Sequence, residues 1–250
     1  MPHSITQQRT GLRRGLERIL ESDAATVGFV SRKGAERRQR VLGLGADLDS
    51  SNASAGHSGL DFVILMDGQP PEGIALWGRR ARDGEADDTE RGAFQVLSLG
   101  HTPALALDDK YVPSVLELDQ AVPPEFLRTL NGLHLEAVIV PAQQIGEGSL
   151  AITDLLRLGM LAAGLKVPVI ARTAGVLQQG ELALLAQAGV AAILVSGSGD
   201  VATHISQLRA EIDAIDPRVR NGRDEQDHGF PTVQAFGGAR EPEQHEEPAE

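Results

Sequence analysis

The hydrophobic pattern of this chain is an alternation of short apolar runs with longer amphipathic ones, and it becomes regular after Pro123. It predicts a helix over 124–131, a strand over 137–141 (AVIVP), a helix over 150–164, a strand over 167–171 (VPVIA), a helix over 179–188, a strand over 191–195 (AAILV) and a helix over 201–215. Short apolar runs separated by helical periods are the pattern of βα units, whose parallel strands are joined by right-handed crossovers. The last helix carries Val201, Ile205, Leu208, Ile212 and Ile215 on one stripe, and the one before it Leu182, Leu185, Ala186 and Gly189. Helix 150–164 is apolar almost all round, interrupted by Asp154 and Arg157. It is too short to cross a bilayer. It reads either as a helix wedged between the sheet and a neighbour or as the face of a homo-oligomer.

Before Pro123 the pattern is less regular. Leu12, Leu16, Ile19 and Leu20 fall at helical spacing with Arg13, Arg14 and Arg18 off the stripe, which predicts an amphipathic helix. TVGFV (26–30) reads as a buried strand leading into a helix from about residue 35 to Leu42, and 43–59 as a flexible stretch rich in Gly, Ser, Asn and Ala. DFVILMD (61–67) is apolar between its aspartates, as expected of a strand covered on both faces. The charged run RRARDGEADDTERG reads as a solvated insertion, and FQVLSL (94–99), ALAL (104–107) and SVLEL (114–118) as three more extended segments. The gaps between these three are too short for crossover helices, so part of this region is expected to pair antiparallel.

Composition narrows the function classes. The 250 residues include no Cys, which excludes disulfides, zinc–thiolate and iron–sulfur sites and a cysteine nucleophile. Neither an apolar run of membrane-spanning length nor an apolar segment behind Met1 is present, so a soluble, cytoplasmic protein is expected. The net charge of -12 is uneven. Residues 1–40 hold nine basic and four acidic side chains, whereas the stretch from Asp216 onward holds nine acids and four arginines. The acidic body repels nucleic acid, which is not expected as a partner. The N-terminal arginines read mainly as solvated helix faces, with an acidic partner or the chain's own tail as the alternative. Residues 217–250, poor in apolar periodicity and rich in Pro, Gln and Glu, are read as a disordered acidic tail following an α/β domain over 1–216.

The segment VPVIARTAGVLQQGELALLAQAGVAAILVSGSGD resembles the last two βα units of phosphate-binding (βα)8 barrels. The matching positions are Val169 to Ala171, Gly175, Ala188 to Gly189, Ile193 to Val195 and Ser196 to Gly199, with Thr173, Ala174 and Gly175 standing where those barrels carry paired glycines. The wider region 114–215 also resembles a group of uncharacterised bacterial barrel-like proteins. The fold class implied is α/β and TIM-barrel-like, regular in its second half and irregular in its first, with a closed barrel and an incomplete or distorted one both open. The implied ligand is a small phosphorylated or otherwise anionic molecule.

Candidate chemistry follows from the strand reading, because barrels display functional groups at the C-terminal ends of their strands. Asp67 and Glu117 are the candidate acid and base, with Asp119 nearby. Arg172, Thr173, Ser196, Gly197, Ser198 and Gly199 are the candidate ligand-binding residues. Backbone N–H groups of the SGSGD turn ahead of a helix can hold an anion, although Ser198 or Asp200 serving as an ordinary N-cap explains the same residues. Gln143 and Gln144 follow another strand; Lys33 lies in a basic cluster and Lys166 precedes its strand, so neither suits Schiff-base chemistry. His57, His101, His134 and His204 are scattered, no metal site is predicted, and a hard-cation site from Asp67, Glu117 and Asp119 is the weaker reading of those acids. The GLG at 43–45 lacks a third glycine and a preceding strand, so it is not a dinucleotide fingerprint, and the sequence identifies no cofactor. Two functions remain open: a non-catalytic or degenerate barrel binding a small anion or a protein partner, and a lyase or isomerase acting on a phosphorylated metabolite.

Overall fold

The computed structural model describes residues 12–20, 41–49, 59–81, 92–108, 112–118, 122–142, 144–145, 149–174, 177–196 and 201–216. Eight strands form a closed barrel: β1 (Gly43–Leu48), β2 (Phe62–Leu65), β3 (Trp77–Arg80), β4 (Phe94–Ser98), β5 (Ser114–Glu117), β6 (Leu135–Pro141), β7 (Val169–Thr173) and β8 (Ala192–Val195). Each pairs with its sequence neighbours, β8 closes onto β1, and every pairing is parallel. Helix α1 (Leu12–Leu20) precedes the barrel. A short α2 (Leu127–Leu130) lies between β5 and β6, and α3 (Ile152–Gly164), α4 (Gln179–Gln187) and α5 (Val201–Asp213) follow β6, β7 and β8. This is a TIM-barrel-like α/β fold.

Successive residues of a strand face opposite sides, and the core divides accordingly. Leu44, Ala46, Val138, Val140, Ile193 and Val195 face outward into one apolar cluster with Leu158, Leu182 and Leu208 of the helices. The axis is filled by a second cluster. Alternate strands supply its layers: Phe62, Phe94, Ala137 and Ala192 from even strands, then Gly45, Gly78, Val115 and Ile170 from odd ones, then Ile64, Val96, Ile139 and Leu194. The glycines make room for the rings. A Cβ on Gly45 would lie 2.3 Å from the Phe62 ring, and one on Gly78 would lie 2.2 Å from that of Phe94. Below them Leu12 and Leu16 of α1 join the same cluster and close the N-terminal end of the barrel. At that end Asp61 accepts hydrogen bonds from Leu44 N (2.9 Å) and Arg209 Nη2 (2.6 Å), tying β1, β2 and α5 together.

Several expectations are corrected. The first-half pairings are parallel, not antiparallel, because the barrel closes and its short connections run as loops and 3-10 turns. Ala104–Asp108, read as a strand, is such a 3-10 turn, with Leu105 85% exposed. Gly43–Leu48, read as a flexible stretch, is strand β1, and the helix expected to run to Leu42 gives way to buried bends at Val41 and Leu42. Arg79 and Arg80, read as part of a solvated insertion, belong to β3. Closure excludes an incomplete barrel, while the first half is irregular in its connections, with no α-helix among the described residues between β1 and β5. The strand expected at 26–30, the rest of the basic segment apart from α1, and the tail at 217–250 lie outside the described residues.

Candidate functional site

The uppermost inward layer of the barrel is charged. Asp47 of β1, Arg80 of β3, Glu117 of β5 and Arg172 of β7 occupy the last inward positions of the odd strands, above Gly45, Gly78, Val115 and Ile170. Two-residue alternation delivers them there. The four side chains form one continuous chain of ion pairs. Arg80 Nη2 donates to Asp47 Oδ1 at 3.0 Å and Oδ2 at 3.2 Å. Arg80 Nη1 pairs with Glu117 Oε2, and Arg172 Nη1 with Glu117 Oε1. Two acids face two bases, so with all four ionised the layer is neutral.

Burial grades the four groups. Glu117 is 2% exposed, Asp47 12%, Arg80 18% and Arg172 32%, so the network runs from the barrel interior to its mouth. Burial raises the pKa of Asp47 above its usual 3.8, with the charge and hydrogen bonds of Arg80 and the more remote charge of Arg172 opposing that shift. Both oxygens of Glu117 are engaged by guanidinium groups, which hold its carboxylate in place. Arg172 differs. Of the five N–H donors on a guanidinium, its contact with Glu117 uses those of one nitrogen.

The sequence candidates are partly gathered here. Glu117 and Arg172 are in direct contact. Thr173 is fully buried and, by alternation, falls on the opposite face of β7 from Arg172; its carbonyl accepts from Ser196 N (2.9 Å) and Oγ (3.3 Å), which fixes the end of β8 beside β7. Asp67 lies in the loop beyond β2, just ahead of Gly68 at φ 79°, and the ion pairs of Glu117 run to Arg80 and Arg172. Gly197, Ser198 and Gly199 lie outside the described residues, as do Asp119, Gln143 and Lys33. Among the described residues no three His, Asp or Glu side chains group as a metal site, and no helix is long and apolar enough to cross a membrane. Sequence reasoning missed Asp47 and Arg80. The signal for Asp47 was present in G-x-G-x-D, where the small residues and the acid share one face of a strand.

No protein-family model matches the chain, and no curated protein matches it. Solved structures do. Thiamine phosphate pyrophosphorylase from Pyrococcus furiosus is similar with a TM-score of 0.51 and 14% identity, over 70% of this chain and 96% of that one. Orotidine 5'-phosphate decarboxylase from Pyrococcus horikoshii OT3 gives 0.49 and 14%, over 69% and 100%. A mutant tryptophan synthase alpha-subunit from Pyrococcus furiosus gives 0.48 and 8%, over 70% and 97%. At 14% identity the first of these shows the fold alone, which is that of the closed parallel barrel described above.

Proposed function

We propose that the chain is a non-catalytic barrel that binds a small anion, a phosphorylated or carboxylated metabolite, at the C-terminal mouth, with Arg172 as its anchor. The observation that carries this reading is the ion-pair layer itself. Where barrels of this kind display their acids and bases, this one ties both inward carboxylates to arginines and leaves a third of one arginine side chain facing the mouth. A guanidinium binds carboxylate or phosphate through parallel N–H donors, and Glu117 holds this one from below, so little side-chain entropy is lost on binding. Ser196, half-buried at the end of the neighbouring β8, stands beside it. The SGSGD sequence that follows supports the same reading through the backbone donors of Gly197 to Gly199. A lyase or isomerase using Asp67 and Glu117 is less well supported, because Glu117 is tied through both oxygens to Arg80 and Arg172.

The test is a thermal-shift panel of inorganic phosphate, sugar phosphates and small mono- and dicarboxylates on the full chain. A ligand at a hundredfold excess over its Kd stabilises by about 2.7 kcal/mol, which is a rise of about 5–11 °C for a barrel of this size. Arg172→Gln should abolish the rise. No stabilisation by any member of the panel, or an equal response in the variant, would refute the anion reading and leave a protein partner as the only ligand class.

A further inference from the structure

Among the described residues, one face of the barrel carries almost no exposed charge. The 13 residues of α3 and the 9 residues of α4 include only three charged side chains. All three are engaged with the chain itself. Asp154 is buried and pairs with Arg157 at 2.7 Å, and Arg157 also donates to the Pro141 carbonyl at the end of β6. Glu181 accepts from Leu150 N at 2.7 Å and Gln178 N at 2.9 Å. What α3 presents to solvent is Ile152 (75% exposed), Thr153, Leu156 (68%), Met160 and Ala163, on one arc at helical spacing. Gly159 of α3 stands against Ala188, where a Cβ would lie 3.5 Å from that of the alanine, so the two helices form one surface. On the α4 side that surface continues through Gln179, Gly180, half-exposed Leu184 and Gln187. The other exposed hydrophobes, Met66 (44%), Leu99 (49%), Leu105 (85%) and Phe126 (53%), lie on bends, turns and 3-10 segments and not along an α-helix face.

We infer that this face is the interface of a homodimer, with α3 packing on α3 of a second copy about a two-fold axis. The choice of a second copy rests on charge and area. In a two-fold contact each residue near the axis meets its own copy, so any charge there faces a like charge. For a chain of net charge -12, self-association is least opposed through a face without charge, and the exposed residues of α3 and α4 provide one. A charged partner, conversely, finds nothing on α3 to pair with. The four large exposed side chains offer on the order of 400–500 Å² of apolar surface, the size of the largest patch on an ordinary monomer, which is often a functional one. That is the apolar centre of a standard interface of about 800 Å² per partner, with Thr153 and the glutamines as its polar rim.

The test is sedimentation velocity on the full chain over a wide range of protein concentration, with Leu156→Glu as the variant and Leu105→Glu as its control. Both positions are exposed within the subunit, so circular dichroism should show both variants folded. The expected result is a wild-type dimer, an unchanged dimer for Leu105→Glu, and self-association weakened on the order of a hundredfold or more for Leu156→Glu, which places two carboxylates at the axis. A wild-type chain that is monomeric at every concentration would overturn the inference. So would a dimer that survives Leu156→Glu, or one that Leu105→Glu disrupts equally.

Discussion

Glu117→Gln is the perturbation that reads the charged layer most directly. The substitution keeps the shape of the side chain and removes one negative charge from between two guanidinium groups, in a position 2% exposed. The retained carbonyl oxygen can satisfy one arginine, while the new amide N–H2 is turned toward the other and repels it. Removing one member of a buried ion pair costs about 3–5 kcal/mol, because the partner charge stays buried without compensation. Here Arg80 retains Asp47, and Arg172 can turn toward solvent, which places the expected loss toward the lower end, about 3 kcal/mol. In a barrel of this size that lowers the melting temperature by about 6–12 °C. The assay is paired thermal and urea denaturation, with an unchanged urea slope showing that the native and unfolded states remain comparable. The double variant Glu117→Gln, Arg172→Gln should recover part of the loss, since it also removes one uncompensated cation. A fall smaller than about 2 °C in the single variant would refute the claim that these ion pairs hold the top of the barrel together.

Three further outcomes are expected. Because burial raises the pKa of Asp47, its folded form binds a proton more readily than its unfolded form, so its contribution to stability is fully present below 3.8 and is lost as pH rises through the folded-state value. Asp47→Asn, which cannot ionise, should therefore gain stability relative to wild type between about pH 4 and neutrality; a difference that moves the other way in pH-dependent melts would show that Arg80 outweighs burial. Gly45→Ala places a methyl 2.3 Å from the Phe62 ring and should cost about 1–3 kcal/mol in denaturant melts, with Phe62→Leu restoring part of it; unchanged stability would show that the ring moves freely. Leu12→Ala, emptying the apolar plug of the N-terminal end, should cost about 2–5 kcal/mol by the same assay, and a neutral result would mean that α1 does not seal the barrel.

The second half of the barrel was legible in the sequence because both faces of its strands are apolar. β6, β7 and β8 carry valine, isoleucine and alanine outward and inward alike, and their helices show unbroken stripes. β1 and β3 were missed for the opposite reason. Their inward faces hold Gly43, Gly45 and Asp47, and Gly78 and Arg80, so neither shows an apolar period on the side that closes the barrel. The apolar volume they lack is supplied from β2 and β4 by Phe62 and Phe94, across strand pairings of which a single strand's pattern carries no trace. ALAL at 104–107 has the composition of a strand, but it is confined between β4 and β5, where a 3-10 turn spans the gap.

The same logic governs the site. Glu117 and Arg172 were visible as strand-end residues, because β5 and β7 were read as strands nearly in place. Asp47 and Arg80 were hidden in segments read as flexible or solvated. Without them Glu117 looked like an acid available for catalysis. With them it is the centre of a neutral, closed network whose outermost member faces the mouth. That network also bears on the dimer face. Asp154 and Arg157 are paired in the same manner, carboxylate to guanidinium, and it is this pairing that leaves α3 free of exposed charge.

Titration calorimetry of inorganic phosphate into the full-length wild-type chain and into Arg172→Gln tests the central claim most directly. Arg172 at the mouth predicts saturable binding to the wild type that weakens with added salt, and at least tenfold weaker binding to the variant, a loss of about 1.4 kcal/mol or more. Binding of equal strength to both proteins, or to neither while every other anion of the panel also fails, would contradict it.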